Sequence, residues 1–528
     1  MTASKEAEMD RYDVLVAGAG PTGMVLALAL AKQGVRVCIV DKTEGPGTTS
    51  RAMAVQARTL ELYRPLGLAD EVANAGRPNP CVNLWVRGKR RARLALRDAG
   101  SRTTPYPYVL VYPQDAHEAL LVRHLEAAGV PVWRRTELLD FDEKEDHVVA
   151  RLRRASGDEL QVEARYLAGC DGARSLVRRQ LGTGFAGGTY DHLFYVADVQ
   201  ARGLAANGEI HLSLETSDFV LLLGYDDHGR GRLVGTIRDG RGEADNLSFQ
   251  DVSHHAMASL GLEVEQVHWF STYRVHHRVT DHYRLGRAFL LGDAAHVHSP
   301  AGGQGMNTGI GDAINLAWKL AAVVLGDAPD SLLDTYEKER IAFARKLVDT
   351  TDRLFSFVTA DSGIADFVRT RIAPTFASAA YGFGPVRESI FRVLSQTTIH
   401  YHDSPLSSGV AGRVHGGDRL PWVLGGDGDK EQDNYAPPAR IDWQVHVYGQ
   451  AYPDLRAWCD RHGMILREFD WSARHDEAGL ARNAGYLLRP DGYVALCDPG
   501  ASAQALEDYF CDLDYRRYRV CIPRPAFL

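Results

Sequence analysis

The feature that most constrains the fold of this chain lies near its start, where an apolar segment leads into a glycine-rich turn. Tyr12 to Ala17 is apolar, and Gly18-Ala19-Gly20-Pro21-Thr22-Gly23 follows at once. A helical stretch, Met24 to Lys32, comes next, and a second apolar run ends in Asp41. Strand, G-x-G-x-x-G, helix, strand and acid in this order are typical of a dinucleotide-binding βαβ unit. We predict that the glycines admit a diphosphate and that Asp41 binds the adenosine ribose; a purely structural turn would explain the glycines but not the acid.

A second stretch with chemical character runs from Gly286 to Leu320. A short apolar run ends in Gly292-Asp293, and a loop of small residues, Pro300 to Gly305, then leads into a helix. An acid at the C-terminal end of a buried strand can accept hydrogen bonds from sugar or ribityl hydroxyls, so we expect Asp293 to contact a cofactor. The helix N-terminus offers free backbone N–H groups and a positive dipole end, which favour an anion or a ring edge that becomes anionic.

Three further positions are candidates for cofactor contact. Arg51 could neutralise phosphate charge, or it could be an ordinary surface arginine. Gln114 opens a predicted helix, and Asp171-Gly172 follows a predicted strand, although Asp-Gly can also be a structural turn.

Residues 182–187 also match G-x-G-x-x-G. Because an extended stretch and not a helix follows them, we predict one dinucleotide fingerprint and not two.

The central part of the chain, Thr189 to Val275, reads as strand after strand. Ile210 to Glu215 alternates apolar and polar residues, whereas Phe219 to Leu223 is continuously apolar. We predict a mostly antiparallel sheet inserted between two halves of a nucleotide-binding unit, where it can form the wall of a ligand cavity. The aromatic candidates for substrate contact, each of which could equally be core, are Phe219, Tyr225, Trp269, Phe270 and Tyr273.

Composition excludes several classes of function. The formal charge of −8 argues against nucleic acid or an anionic membrane as the main partner. The N-terminus is polar and acidic, so we expect that it is not a signal peptide, and we find no apolar run long enough to span a bilayer. The 7 cysteines are scattered without C-x-x-C, which predicts a reduced, cytoplasmic chain.

Histidine pairs lack partners at zinc-ligand spacing, so we expect no metal. Hydrolase motifs such as G-x-S-x-G are absent.

A length of 528 residues predicts more than one domain. The helix from Leu332 to Phe357 is predicted to expose Tyr336 to Arg340 on a solvated face. We expect an α/β protein with a Rossmann-like nucleotide-binding domain, an inserted sheet domain, a completion of the first domain with a helical segment, a surface linker and a small α/β unit, over residues 1–188, 189–285, 286–402, 403–439 and 440–528.

Together these motifs resemble the single-component FAD-dependent aromatic hydroxylases, the p-hydroxybenzoate hydroxylase-like class. The resemblance covers Tyr12 to about Arg340, and two later stretches, Gly412 to Pro421 and Leu487 to Gly492, are similar to members with a C-terminal thioredoxin-like domain, such as phenol, chlorophenol and aromatic-polyketide hydroxylases. The motifs that carry it are Gly18-x-Gly20-x-x-Gly23, Cys170-Asp171-Gly172, Gly292-Asp293-Ala294-Ala295-His296, Pro300 and Gly303-Gln304-Gly305-Met306-Asn307.

The resemblance implies an activity. FAD would be reduced by transiently bound NADPH or NADH, and O2 would form a flavin hydroperoxide that transfers one oxygen atom to a phenolic or polyketide-derived aromatic ring. Pro300 and Gly303 would lie at the oxygen-reacting face, and the backbone of Gly305 to Asn307 would stabilise negative charge on the flavin pyrimidine edge. The implied FAD contacts are Gly18, Gly20, Pro21, Thr22, Gly23, Asp41, Lys42, Arg51, Gln114, Asp171, Gly172, Gly292, Asp293, Pro300, Gly303, Gly305, Met306 and Asn307.

Departures from the family pattern leave alternatives open. Asp41-Lys42 stands where the family usually has Glu-Arg. Met53 and Ala54 stand where some phenol hydroxylases carry an acid, so the sequence assigns no substrate-deprotonating base. Another FAD-dependent oxidoreductase on this fold, a reductase or a halogenase, is an alternative, although W-x-W-x-I-P is absent. A non-catalytic FAD-binding redox protein is a second alternative. We expect a monomer or a homodimer.

Overall fold

The structure, a computed structural model, describes residues 10–47, 52–215, 219–237, 247–252, 255–298, 303–359, 384–425, 433–437 and 440–518. The predictions for Arg51 and Pro300 lie outside these ranges. Among the described helices, none combines the length and apolar character that crossing a membrane requires.

The strands and helices alternate in the first and last parts of the chain and give way to strands in the middle. The strands are β1 Asp10–Ala17, β2 Val37–Val40, β3 Ala54–Val55, β4 Arg77–Asn79, β5 Cys81–Val86, β6 Lys89–Ala95, β7 Val109–Val111, β8 Val132–Trp133, β9 Thr136–Glu143, β10 Val148–Arg154, β11 Glu159–Gly169, β12 Phe185–Gly203, β13 Ile210–Leu214, β14 Phe219–Gly224, β15 Arg230–Ile237, β16 Leu262–Thr280, β17 Arg284–Leu285, β18 Ala288–Leu290, β19 His296–Val297, β20 Val410–Ala411, β21 Val414–His415, β22 Gln444–Tyr448, β23 Ile465–Phe469, β24 Gly485–Leu488 and β25 Val494–Asp498. The α-helices are α1 Pro21–Ala31, α2 Ala57–Tyr63, α3 Ala69–Ala75, α4 Leu96–Gly100, α5 Gln114–Ala127, α6 Leu176–Leu181, α7 His255–Ser259, α8 Gly305–Val324, α9 Asp334–Thr359, α10 Gly384–Leu394, α11 Pro453–His462, α12 Ala473–Glu477 and α13 Ala503–Asp512.

The first sheet brings the predicted cofactor segments to one edge. Its order is β17-β18-β11-β1-β2-β8, and β10 and β9 extend from β11. The strands β18, β11, β1 and β2 are parallel, and their ends are in register: Ala17 pairs with Val40 and Gly169, and Gly169 pairs with Leu290. The glycine turn and the acids Asp41, Asp171 and Asp293 therefore all follow the carboxyl edge of one sheet, as the sequence predicted. The mixed α/β fold is confirmed.

The helix α1 carries apolar residues on all of its faces, and nearly all of these residues are buried. Nine of its residues, from Pro21 to Leu30, are buried, and the helix packs against α8 and α5. A helix without a polar face is typical of the interior of a large domain. The glycine turn that precedes α1 is thus fixed to the core.

The second sheet contains eight strands in the order β19-β16-β12-β15-β14-β13-β5-β6. Its pairs are antiparallel except for β13 and β5, so the mostly antiparallel prediction is confirmed. The strands β5 and β6 come from the part of the chain that we had assigned to the first domain. The pairing of Ile210 with Val82 joins segments far apart in sequence, and hydrophobic periodicity carries no information about such a partner.

Side-chain alternation gives this sheet two different faces. On one face, residues such as Tyr195, Leu222 and Phe270 form a core with α7. On the other face, Ile210 and Leu223 pack against Met53 and Val111 of the first unit, which makes that face the one turned towards the nucleotide-binding unit.

The C-terminal unit has a four-stranded sheet in the order β23-β22-β24-β25. β22 is parallel to β23 and antiparallel to β24, and β24 is antiparallel to β25. The segment before it does not simply lie over the surface as predicted. Leu406, Leu420 and Asp433 are among its fully buried residues, because this segment fills the space between the C-terminal unit and the rest of the chain.

Buried ion pairs join the C-terminal unit to α8 and α9. Arg489 makes a two-point contact with Glu339, with N–O distances of 2.7 and 3.0 Å, and Lys319 Nζ lies 2.8 Å from Glu339 Oε2. The side chains of all three residues are at most 1% exposed. The predicted solvated face of α9 is therefore wrong for Glu339, and also for Tyr336 and Arg340, which are equally buried. Their polar groups tolerate burial because each finds a partner inside the protein.

Candidate active site

The three glycines of the fingerprint lie in different structural surroundings. Gly18 has a φ of +105°, and a Cβ there would lie 2.3 Å from the carbonyl oxygen of Cys170. A Cβ at Gly23 would lie 2.0 Å from the Gly18 carbonyl oxygen. At Gly20, its chain neighbours aside, no atom of the described residues lies within 4 Å of an added Cβ. Gly18 and Gly23 are required by the packing of the turn itself, whereas Gly20 faces open space at the N-terminus of α1, where a diphosphate would approach.

Thr22 joins the glycine turn to the second chemical stretch. An added Cβ at Gly292 would lie 2.8 Å from Thr22 Oγ1, and one at Gly309 would lie 2.3 Å from it. These two glycines therefore allow α8 and the turn after β18 to pack closely on α1. Pro21 is the first residue of α1, a position where the missing N–H costs nothing.

Asp41 lies at the turn, but both of its carboxylate oxygens already bind protein groups. Oδ2 accepts a hydrogen bond from the Ala19 N–H at 2.7 Å. Oδ1 accepts from the backbone N–H and the hydroxyl of Thr43 at 2.7 and 2.6 Å. A carboxylate has about four acceptor positions, so Asp41 can hold the glycine turn and still receive a ribose hydroxyl. Lys42 beside it is exposed.

Asp171 offers an acceptor that the protein does not use. Its Oδ2 accepts from the backbone N–H groups of Leu176 and Val177 at 2.6 and 3.2 Å, which caps α6. Its Oδ1 is buried and has no hydrogen-bond partner among the described residues. A buried carboxylate oxygen without a partner is costly. A hydroxyl of a bound cofactor would satisfy it, so this site fits the FAD that the sequence implies. Gly172, which follows, has a φ of +78°.

Gln114, the first residue of α5, forms hydrogen bonds that connect this helix to the chain at Ala52. Its amide Nε2 donates to Glu118 Oε1 at 2.7 Å, and its Oε1 accepts from the Ala52 N–H at 3.4 Å. Glu118 Oε2 in turn accepts from the Gly47 N–H at 2.9 Å. Burial raises the pKa of Glu118. Glu118 was not predicted, although it lies one helical turn after Gln114.

The N-terminus of α8 is held in place by Asn307. The Asn307 Oδ1 accepts from the Gln56 N–H at 2.9 Å and the Thr59 hydroxyl at 2.7 Å, and its Nδ2 donates to the carbonyls of Ala54 and Gly303, both at 2.8 Å. The side chain is thus fully used for structure, which leaves the backbone for a ligand. Within the described ranges no side chain caps this 20-residue helix at its N-cap, which makes its first N–H groups and positive dipole end candidates for a ligand.

Other members of the predicted cofactor set lie close to Asn307. Gly303 has a φ of +62°, and a Cβ there would lie 2.8 Å from the Ala54 Cβ. Gly305 and Met306 are half-buried in the first turn of α8. Asp293 is exposed in the short turn Gly292–Ala294 that precedes them. The structure therefore brings the described members of the predicted set together around one edge of the first sheet.

A buried group behind this edge was not predicted. Asp312 Oδ2 lies 2.8 Å from His296 Nε2 and accepts from the Gly292 N–H at 3.0 Å. Burial alone would raise the pKa of Asp312, but Arg340 and His296 outweigh it and lower that pKa. The carboxylate thus fixes the Gly292-Asp293 turn relative to α8. The only sequence signal was an acid on the apolar face of a predicted helix.

The predicted substrate residues separate into two groups. Phe219, Tyr225, Trp269 and Tyr273 share the face of the second sheet that is turned towards the first unit. Phe194, which was not predicted, lies between two of them, with its ring centroid 6.1 Å from Phe219 and 5.7 Å from Tyr273. Phe270 was also a candidate, but it lies on the opposite face and stacks on Tyr195 at 6.2 Å. Phe270 is therefore a core residue.

A cavity of about 560 Å³ opens between this face and the first unit. Its volume is within the range of about 300 to 1,000 Å³ that is typical of small-molecule sites. Pro113 and Asp115, on either side of Gln114, form part of its wall. The second sheet contributes a polar part, which consists of Asp198, Tyr225, Arg230 and Arg232. Among the described residues, no three His, Cys, Asp or Glu side chains are grouped so that they could hold a metal ion.

Comparison with known proteins agrees with this geometry. Residues 11–351 match the protein family described as FAD binding domain. The chain is similar to 6-methylpretetramide 4-monooxygenase from Streptomyces rimosus, with 39% identity over 519 residues that cover 92% of this chain and 91% of the relative. It is also similar to pentachlorophenol 4-monooxygenase from Sphingobium chlorophenolicum, with 30% identity over 70% of this chain and 69% of that protein.

This chain belongs to the FAD-dependent aromatic monooxygenases. Solved structures support the same family. An anhydrotetracycline hydroxylase from Streptomyces rimosus is 26% identical, covers 95% of this chain and 98% of its own, and superposes with a TM-score of 0.76. An aklavinone-11 hydroxylase, solved with FAD and aklavinone, is 27% identical, covers 95% of this chain and 99% of its own, and has a TM-score of 0.74.

In this monooxygenase the glycine turn, the orphan oxygen of Asp171 and the N-terminus of α8 are the features that fit FAD. A flavin coenzyme needs a diphosphate cradle, hydroxyl acceptors and a positive pole for the ring. Each is present at the same sheet edge, and Pro113 and Asp115, the neighbours of Gln114, line the cavity together with Tyr225 of the second sheet.

Proposed function

We propose that this enzyme uses NADPH or NADH, FAD and O2 to insert one oxygen atom into a phenolic or polyketide-derived aromatic ring. The observation that carries the proposal is the N-terminus of α8, which Asn307 ties to Ala54 and Gln56 and which no side chain of the described residues caps. When bound, FAD supplies the redox chemistry and activates dioxygen, while the protein supplies binding, orientation and electrostatics. The similarity to a 6-methylpretetramide 4-monooxygenase and to a pentachlorophenol 4-monooxygenase supports an aromatic substrate.

The residues that would hold FAD follow from their contacts. Gly18, Gly20 and Gly23 would admit the diphosphate, Asp41 would accept from the adenosine ribose, and Asp171 Oδ1 would accept from a hydroxyl. Further contacts would come from Lys42, Gln114, Asp293 and, beyond the described residues, Arg51. The N–H groups of Gly305, Met306 and Asn307 would stabilise negative charge on the flavin pyrimidine edge. Gly303, together with Pro300, would border the reacting face.

We also infer that the C-terminal unit is a thioredoxin-like domain that acts in packing and not in dithiol exchange. Its parallel β22–β23 pair followed by antiparallel β24 and β25 supports this fold. Burial raises the pKa of Cys459 and of Cys497 to about 12, which makes both thiols weak nucleophiles. Free cysteines also fit a reducing cytoplasm. A monomer or a homodimer is expected, and light scattering of the purified enzyme would tell them apart.

The proposal is tested with the FAD-loaded enzyme. Oxidation of NADPH and NADH is recorded with and without a panel of phenols and polycyclic aromatics, and the products are identified by mass spectrometry. We expect at least one aromatic compound to increase NAD(P)H oxidation and to gain one oxygen atom. Halide-dependent incorporation of halogen, or FAD binding without substrate-stimulated oxygen uptake, would contradict the proposal.

A further inference from the structure

We propose that Asp198, Tyr225 and Arg232 form an acceptor site that recognises a hydrogen-bond donor, a phenolic hydroxyl or an amide N–H, on the substrate. The inference rests on the proposed function, because it assigns the cavity between the second sheet and the first unit to the aromatic substrate. It adds a specificity rule: the substrate carries a donor at the edge that enters this part of the cavity.

The three side chains form one fixed group. Arg232 makes a two-point contact with Asp198, with Nε–Oδ1 and Nη2–Oδ2 distances both 2.7 Å. The Tyr225 hydroxyl donates to Asp198 Oδ1, also at 2.7 Å. The Arg232 side chain is 3% exposed and that of Asp198 is 24% exposed. A paired guanidinium and carboxylate hold each other's planes, so the carboxylate keeps one orientation with part of its surface in the cavity.

The group presents acceptors rather than donors to a ligand. The hydroxyl proton of Tyr225 is directed at Asp198, and burial raises the pKa of Tyr225 so that the phenol keeps this proton. An ionised carboxylate has about four acceptor positions and no donor, and three hydrogen bonds use part of that capacity. The remaining lone pairs of Asp198 and of the Tyr225 oxygen would attract a ligand O–H or N–H and repel an ether or ester oxygen.

The surroundings of the group place it where an aromatic ring would lie. Tyr225 packs against the apolar cluster of Met53, Val111, Ile210 and Leu223. That cluster offers a hydrophobic surface but no hydrogen-bonding side chain. The Trp269 ring lies on the other side, 5.8 Å from the Arg232 guanidinium carbon. A ring system with one polar edge matches an apolar surface that ends in a fixed acceptor.

A pair of probes with the same ring system, one with free hydroxyls and one with methylated hydroxyls, tests the inference. Binding of emodin, a polycyclic phenol, and of its fully O-methylated ether is measured by isothermal titration to the FAD-loaded enzyme. We expect the wild type to prefer emodin by at least about tenfold, since a hydrogen bond to a charged group is stronger than one between neutral groups. In Tyr225→Phe and Asp198→Asn the preference should fall to about threefold or less.

The controls separate recognition from folding and from the proposed function. Tyr225→Phe removes one hydroxyl without changing shape, so it remains informative if Asp198→Asn, which disturbs Arg232, folds poorly. Tyr195→Phe, on the opposite face of the same sheet, should keep the wild-type preference. A wild type that binds neither probe or both equally, or a Tyr225→Phe variant with undiminished preference, overturns the inference. If the wild type still hydroxylates an aromatic compound in that case, the proposed function stands and only the acceptor site fails.

Discussion

Asp312 Oδ1 lies 2.6 Å from Arg340 Nε, and the two side chains are 1% and 2% exposed. Arg340 also donates to the Thr308 carbonyl at 3.0 Å and to the Tyr401 hydroxyl at 2.9 Å. The pair therefore ties α9 to the first turns of α8. Since the other oxygen of Asp312 holds the Gly292 N–H, one carboxylate fixes two of the segments proposed to bind FAD.

We predict that Asp312→Ala destabilises the protein by about 3–5 kcal/mol, because it leaves the guanidinium of Arg340 buried without its carboxylate. FAD retention should fall as well, since the Gly292-Asp293 turn loses its anchor. Urea unfolding and the flavin-to-protein absorbance ratio measure the two effects. Asp334→Ala is the matched control: its carboxylate pairs with Arg284 at 2.8 Å but is 60% exposed, so its loss should cost about 1 kcal/mol or less. Equal losses in the two variants would contradict the role of Asp312.

A second prediction uses the open space at Gly20. The Gly20→Ala variant should keep the unfolding free energy of the FAD-free protein, because in the described part of the chain only the neighbours of Gly20 in sequence lie near the added Cβ. Its affinity for FAD should fall at least about tenfold if the diphosphate occupies that space. Titration of the FAD-free protein with FAD, followed by flavin fluorescence, gives both affinities. Gly500→Ala, where an added Cβ meets Asp498 Oδ1 at 3.4 Å, is the control, and unchanged FAD affinity in Gly20→Ala would refute this placement.

A third prediction concerns Asp293. We expect Asp293→Ala to lose most of its FAD during purification. Its fold, measured by circular dichroism, should be kept with or without added FAD. The reason is that the carboxylate is an exposed acceptor at the end of β18 and not part of the core. Asp293→Asn keeps one acceptor oxygen and should retain more FAD than Asp293→Ala. Recovery of Asp293→Ala with full yellow occupancy would remove Asp293 from the FAD contacts.

A fourth prediction concerns pH and the interface of the C-terminal unit. Burial lowers the pKa of Lys319 to about 8 from 10.5, although Glu339 opposes the shift. Between these two values the unfolded chain binds more protons than the folded one, so the stability contributed by this group rises with pH through that window. The difference in unfolding free energy between the wild type and Lys319→Met should therefore increase by on the order of 3 kcal/mol from pH 8 to pH 10.5. A difference that stays flat would show that Lys319 keeps its proton in the folded state.

The local parts of the site could be predicted from the sequence. The strand, glycine turn and helix up to Ala31, and the acids at three strand ends, depend on apolar runs, glycines and spacing that lie within about forty residues. The parallel order then follows from the physics of the βαβ unit, which brings the carboxyl ends of its strands to one edge.

The buried polar contacts could not be predicted in the same way. Arg340 looks like a surface residue in a charged stretch, and its partner Asp312 lies 28 residues away on another helix. Arg489 and Glu339 are 150 residues apart. Burial of a charge depends on a partner that only the folded chain brings close, and neither composition nor periodicity encodes that partner. The addition of β5 to the second sheet escaped prediction for the same reason.

We infer that this enzyme transfers one atom of dioxygen to an aromatic ring. The most direct test is turnover of the FAD-loaded enzyme with NADPH or NADH under isotopically labelled dioxygen, with emodin, anhydrotetracycline and simple phenols as substrates. We expect a product that contains one labelled oxygen atom, formed only when nicotinamide cofactor, FAD and substrate are all present. Oxidation of the nicotinamide cofactor that yields only hydrogen peroxide with every aromatic compound, or a product whose new oxygen comes from water, would contradict it.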